Sequence, residues 1–137
     1  MNKENKKKKI LLVDDNEIHL STVKIMLEDY YEVATARSGK EALVQILRGQ
    51  FPNLILLDIL MPEMDGWEVY NRIKAISFLQ DIPIAFFTSV DETAEKARAL
   101  EIGVVDYIPK PCKKNELLER IDKILNNTSI KAEGELR

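Results

Sequence analysis

Two acids stand side by side at Asp14 and Asp15, a third follows four apolar residues at Asp58, two hydroxyls follow an apolar run at Thr88 and Ser89, and an ammonium at Lys110 precedes a proline. Three carboxylates gathered in one place repel when ionised, so a fold that gathers them must protonate one or supply positive charge. Lys110 supplies part of that charge. The remainder points to a divalent cation, and an oxygen-only donor set favours magnesium, with manganese as a substitute, over zinc or copper. Magnesium keeps several waters and takes one or two carboxylates, which leaves an acid free to react. Asp58 is the candidate nucleophile, because a carboxylate attacking phosphorus forms an aspartyl phosphate. Such a transfer asks the protein to position groups and neutralise equatorial oxygens, tasks that suit the Lys110 ammonium and the Thr88 hydroxyl. A lone aspartate is more often a helix cap, and Asp65 before Gly66 is read that way.

The elements that must position these groups are legible as alternation. Five strand-like runs, at 10–13, 31–36, 54–57, 82–87 and 104–108, are separated or followed by stretches of helical period, the pattern of a parallel sheet covered by helices. Helices are predicted over 17–29, 39–48, 66–76 and 92–102, and a last one carries the stripe Leu117, Leu118, Ile121, Ile124 and Leu125. The fold class is therefore α/β, a doubly wound, flavodoxin-like five-stranded parallel sheet with helices on both faces. Four of the five strands end in the polar groups above, and sites in such sheets form beyond the carboxyl ends of the strands at the switch point. The strand ending at Ala36 brings no such group and suits an edge, giving the order 2-1-3-4-5 and placing Asp14 and Asp15 beside Asp58. The fourth helix offers mainly Ala94, Ala97 and Leu100 as inward candidates, so little apolar area holds it down.

The chain has 137 residues, room for one domain, read here as 9–126 with a flexible basic arm at 1–8 and a polar tail at 127–137. A net charge of -3 names no partner, and the Lys-rich arm lacks the aromatic or second basic patch of a nucleic-acid site. No apolar run nears the ~20 residues of a membrane span, and the single Cys112 is a packing residue suited to a reducing compartment. The expected location is the cytoplasm.

From about residue 9 to residue 125 the chain resembles the receiver domains of two-component response regulators, the chemotaxis-regulator-like kind. The acidic pair in LLVDD, the strand and loop in LILLDILMPEMDG, the hydroxyl in FFTS and the ending DYIPKP carry the resemblance, in that order. It implies Asp58 as phosphoacceptor, metal ligation by Asp15, Asp58 and the backbone carbonyl of Leu60 with Asp14 acting through water, and Thr88 and Lys110 as phosphoryl contacts. It also implies Tyr107 as a rotating switch aromatic and a cis bond between Lys110 and Pro111. Phosphorylation would draw the Thr88 hydroxyl inward, make room for Tyr107 to turn, and alter the surface of the fourth helix, fifth strand and fifth helix, which meets a downstream target.

Leu60 and Val90 are apolar where some receivers are polar, and are expected to slow hydrolysis of the phosphoryl group. His19 has no kinase-like segment around it and is read as an exposed helix residue, so the donor must be a separate histidine kinase or phosphotransfer protein, with small phosphodonors as substitutes. The chain would assist its own phosphorylation and dephosphorylation without being a turnover enzyme, as a monomer or a phosphorylation-dependent dimer. Such a domain occurs as a stand-alone regulator or as a piece of a longer regulator or hybrid kinase, and the resemblance is compatible with each. Three other readings fit the sequence less well. A haloacid-dehalogenase-like phosphotransferase wants Asp-x-Asp where this chain has adjacent acids, and a flavodoxin-like cofactor carrier would have its phosphate repelled by Asp14, Asp15 and Glu17. A receiver acting only as an unphosphorylated binding module does not need the intact acidic set.

Overall fold

Short unbroken runs of Ile, Leu, Val and Phe can bury both faces only inside a sheet covered by helices. In the computed structural model, which describes residues 6–135, such runs form β1 (Lys9–Val13), β3 (Leu54–Leu57) and β4 (Ile84–Thr88), and the more mixed segments EVATA and DYIP form β2 (Glu32–Ala36) and β5 (Asp106–Pro109). The helices are α1 (Glu17–Leu27), α2 (Gly39–Leu47), α3 (Gly66–Lys74), α4 (Thr93–Ile102) and α5 (Lys114–Glu135), with a 3-10 turn at Ser77–Leu79. Every strand pair is parallel, and the order is β2-β1-β3-β4-β5, as predicted. Apolar side chains from α2, α3 and α4, including Ile46, Val69, Ile73 and Ala99, pack on one face of the sheet. Leu20, Val23 and Leu27 of α1 with Leu117, Ile121 and Ile124 of α5 pack on the other. Each fully buried aliphatic side chain contributes roughly 1.5–3 kcal/mol.

Helix starts are fixed by side-chain caps. Asn16, Ser38 and Asp65 accept from the backbone N–H of His19, Glu41 and Glu68 respectively, which satisfies donors the helix leaves free, and Asp65 is the cap it was predicted to be. Gly66 follows it because the backbone passes so close. A Cβ at Gly66 would lie 2.5 Å from the Asp58 carbonyl oxygen and 2.8 Å from Ile59 Cα.

The structure departs from the sequence reading in several places, among them β4, which begins at Ile84 instead of residue 82. β5 begins at Asp106 instead of residue 104, because Gly103 adopts a left-handed φ of 114° at the end of α4 and the N–H of Val104 turns back to Ala99 O. The inward face of α4 is also different: Ala94, Ala97 and Leu100 are all exposed, and Ala99 is its one buried residue. Three similar alanines give almost no polarity contrast from which to set the helix phase. α5 continues to Glu135 through the stretch read as a polar tail, where nothing between Leu125 and Gly134 breaks a helix. Residues 1–5 of the predicted arm lie outside the described residues, but Lys7 and Lys8 are engaged: Lys7 Nζ donates to Glu28 O at 3.0 Å, and Lys8 O accepts from Glu32 N at 2.9 Å.

Candidate functional site

β1 and β3 are neighbours with Val13 paired to Leu57, so the residues that follow them, Asp14 and Asp58, leave the sheet side by side. Both are buried, at 4% and 7% exposure, while Asp15 is exposed. One carboxylate oxygen from each of Asp14, Asp15 and Asp58 lies within 4.8 Å of the other two. Lys110 follows β5 and reaches across the crevice, its Nζ 2.6 Å from Asp14 Oδ2 and 2.9 Å from Asp58 Oδ2. The bond between Lys110 and Pro111 is cis.

Burial by itself would raise the Asp14 carboxyl. Hydrogen bonds from His19, Lys110 and the Asn16 N–H, with the Lys110 charge, outweigh it and hold the group at about 2. Asp58 is less constrained. Its Oδ2 takes Lys110, and its Oδ1 has a long contact of 3.4 Å from the Leu60 N–H. Three hard oxygens at this separation, with no sulfur or nitrogen among them, form an acidic pocket of the kind that takes a divalent cation.

Thr88 closes β4 and is fully buried. Its hydroxyl accepts from the Val90 N–H at 3.2 Å, and the Tyr107 hydroxyl donates to the Val90 carbonyl at 2.7 Å. The two residues read as switch elements thus hold opposite ends of one residue in the loop before α4. Tyr107 is already turned inward at 6% exposure, its ring edge-on to Phe86 at 6.1 Å. Burial first, then the charges of Glu95, Asp91, Glu92 and Asp58, push its phenol above the usual value. Leu60 is 58% exposed and Val90 half-buried, and both line an open groove with Trp67, Glu92 and Glu95. Trp67 lies edge-on to Phe86 at 5.0 Å, and the Arg98 guanidinium of α4 sits 3.9 Å from its ring centre.

Sequence reasoning missed His19. Instead of facing solvent, its Nδ1 lies 2.8 Å from Asp14 Oδ2 and its ring rests on Phe87. A signal was present, since side chains in a first helical turn lean toward the helix N-terminus, and here that direction leads back to the acidic pair. Ser89, beside Thr88, is exposed.

A family model described as the response regulator receiver domain matches residues 10–122. The chain is 37% identical over 126 residues to the alkaline phosphatase synthesis transcriptional regulatory protein PhoP of Bacillus subtilis, covering 91% of this chain and 51% of that protein. Among solved structures, chemotaxis protein CheY4 of Vibrio cholerae is similar with a TM-score of 0.79 and 30% identity, covering 85% of this chain and 98% of that one. The signal receiver domain of a signal transduction histidine kinase from Syntrophus aciditrophicus is similar with a TM-score of 0.77 and 35% identity, covering 88% and 91%. The chain spans about half the length of the curated relatives it matches. Motif order, strand order and the crevice at the strand ends agree with these likenesses, and the chain belongs to the response regulator receiver domain family.

Proposed function

We propose that the chain is the phosphate-accepting switch of a two-component phosphorelay, with Asp58 taking the phosphoryl group from a histidine kinase or phosphotransfer protein in the cytoplasm. The observation that carries this is the pairing of a buried Asp58 with Lys110 at 2.9 Å beside two further carboxylates. An Asp58 carboxylate oxygen attacks phosphorus, the bond from phosphorus to the donor nitrogen breaks, and the phosphoryl group remains on Asp58 as an acyl phosphate. Lys110 Nζ, already on Asp58 Oδ2, meets the incoming oxygens as a charge-assisted donor. Asp14, Asp15 and Asp58, with the Leu60 carbonyl, are the residues that would hold magnesium or manganese. Bound there, the ion neutralises charge on the transferring phosphoryl oxygens.

The Thr88 hydroxyl accepts from the Val90 N–H with a lone pair and keeps its own proton to donate to a phosphoryl oxygen. Moving toward the phosphoryl group releases Val90, and with it the loop that Tyr107 grips from the other side. Because Tyr107 is already inward, the proposed switch needs only a shift of this loop and of α4, and no large rotation of the ring. α4 is suited to move, since Ala99 alone is buried and Leu100, Ile102 and the adjacent Val105 are 53%, 41% and 44% exposed. The surface of α4, β5 and α5 is the proposed contact for a downstream protein. Leu60 and Val90 at the mouth are proposed to slow attack by water on the acyl phosphate. The chain would be a regulator and no turnover enzyme, a monomer or a phosphorylation-dependent dimer. Among the described residues no helix is long and apolar enough to cross a membrane.

Incubation with magnesium and acetyl phosphate should add one phosphoryl group to the wild type by intact mass and none to Asp58→Asn, with gel filtration reporting any dimer. Equal labelling of both would refute the assignment.

A further inference from the structure

His19 is a second donor to Asp14. Its Nδ1 meets Asp14 Oδ2 at 2.8 Å, and the same oxygen takes Lys110 Nζ at 2.6 Å. An ionised carboxylate only accepts, so Nδ1 carries the proton in this contact. The arrangement is closed on several sides. The backbone N–H of His19 donates to Asn16 Oδ1 at 3.0 Å, and the backbone N–H of Asn16 donates to Asp14 Oδ1 at 2.9 Å. The imidazole rests on Phe87 of β4 with ring centres 5.3 Å apart, and the cavity behind it, lined by Leu12, Leu20, Val23 and Leu56, measures about 10 Å³. Packing thus backs the ring on its inner side, while 25% of the side chain stays exposed.

Lys110 meanwhile has two duties. It spans Asp14 and Asp58, and a phosphoryl group on Asp58, with more charge and more acceptor oxygens, draws the ammonium toward itself. Asp14 then gives up one donor and keeps those from His19 and the Asn16 N–H. We propose that His19 is a positioning residue for the cation site, fixing the Asp14 carboxylate so that the acidic pair holds its place while Lys110 turns to the phosphoryl oxygens. The inference rests on the reading of Asp14, Asp15 and Asp58 as a divalent cation site.

Titration calorimetry of magnesium chloride into the full chain tests it, comparing wild type with His19→Met, which keeps the apolar contact with Phe87 but has no donor, and His19→Gln, which restores an N–H. His19→Met is expected to bind magnesium about tenfold more weakly, the lower end of the cost of losing an outer-shell partner, and His19→Gln to regain most of that affinity. Equal affinity in wild type and His19→Met, or equal loss in both variants, overturns the role given to His19. Failure of the wild type to bind magnesium overturns the cation reading beneath it and is distinguishable from either result.

Discussion

Asp14 and Asp58 are both buried aspartates that share one lysine, yet their surroundings differ. Asp14 receives three donors on its two oxygens, from Lys110, His19 and the Asn16 N–H, whereas the Asp58 bonds given by the structure are the lysine and one long contact. Asp14 is therefore locked as an anion, and Asp58 keeps lone pairs for chemistry. The lock has a pH signature. A carboxyl at about 2 in the folded chain, against 3.8 when free, stabilises the fold above its unfolded value, and that contribution is lost as pH falls from about 4 toward about 2. A shift of that size is worth about 2 kcal/mol. In metal-free urea unfolding between about pH 5 and about pH 2, the wild type should therefore lose about 2 kcal/mol more than Asp14→Asn. Parallel profiles for the two proteins would remove the assignment. The type and order of Asp14, Asp58, Thr88 and Lys110 could be read from the chain because each closes or follows an apolar run. His19 was harder, because its contact depends on how α1 leaves β1 and only the lean of a first-turn side chain toward the helix N-terminus hinted at it.

At the level of elements, the short strands were the easiest to read and the helix phases the hardest. β3 matches its predicted limits because LILL is apolar at every position and bounded by polar residues. β5 was misjudged because Val104 and Val105, apolar in sequence, belong to the turn after Gly103. α4 could not be phased from alanines. The crossing of α3 over the end of β3 was equally hidden, since it depends on what is missing at Gly66. Within a helix, glycine to alanine ordinarily gains up to about 1 kcal/mol. At Gly66 the added carbon would press on the Asp58 carbonyl, and overpacking of this kind costs about 1–3 kcal/mol. The steric term is the larger. Gly66→Ala should lower stability in urea unfolding and also reduce labelling of Asp58 by acetyl phosphate, because the displaced atoms belong to the phosphoacceptor itself. A neutral or stabilising result would mean that the loop yields easily.

For the whole molecule, the sheet order followed from where site residues were absent, since β2 alone ends beside none of Asp14, Asp58, Thr88 or Lys110, and an edge is where such a strand belongs. The extent of α5 was not legible, because a polar helix beyond the core has no periodic face to announce it. Phe86 of β4 links α3 to β5, since Trp67, Tyr70 and Tyr107 all meet its ring. The chain contains one tryptophan, and that residue stands edge-on to Phe86 with the guanidinium of α4 over its ring. Its indole is thus an internal chromophore whose emission should respond to the distance of a cation carried on the element expected to move. Addition of magnesium and beryllofluoride should change Trp67 fluorescence in the wild type, and Arg98→Ala should mute the change while leaving Asp58 labelling intact. An unchanged spectrum on activation would place the switch elsewhere. If the change occurs, the protein reports its own signalling state in light, with no attached dye and no partner present.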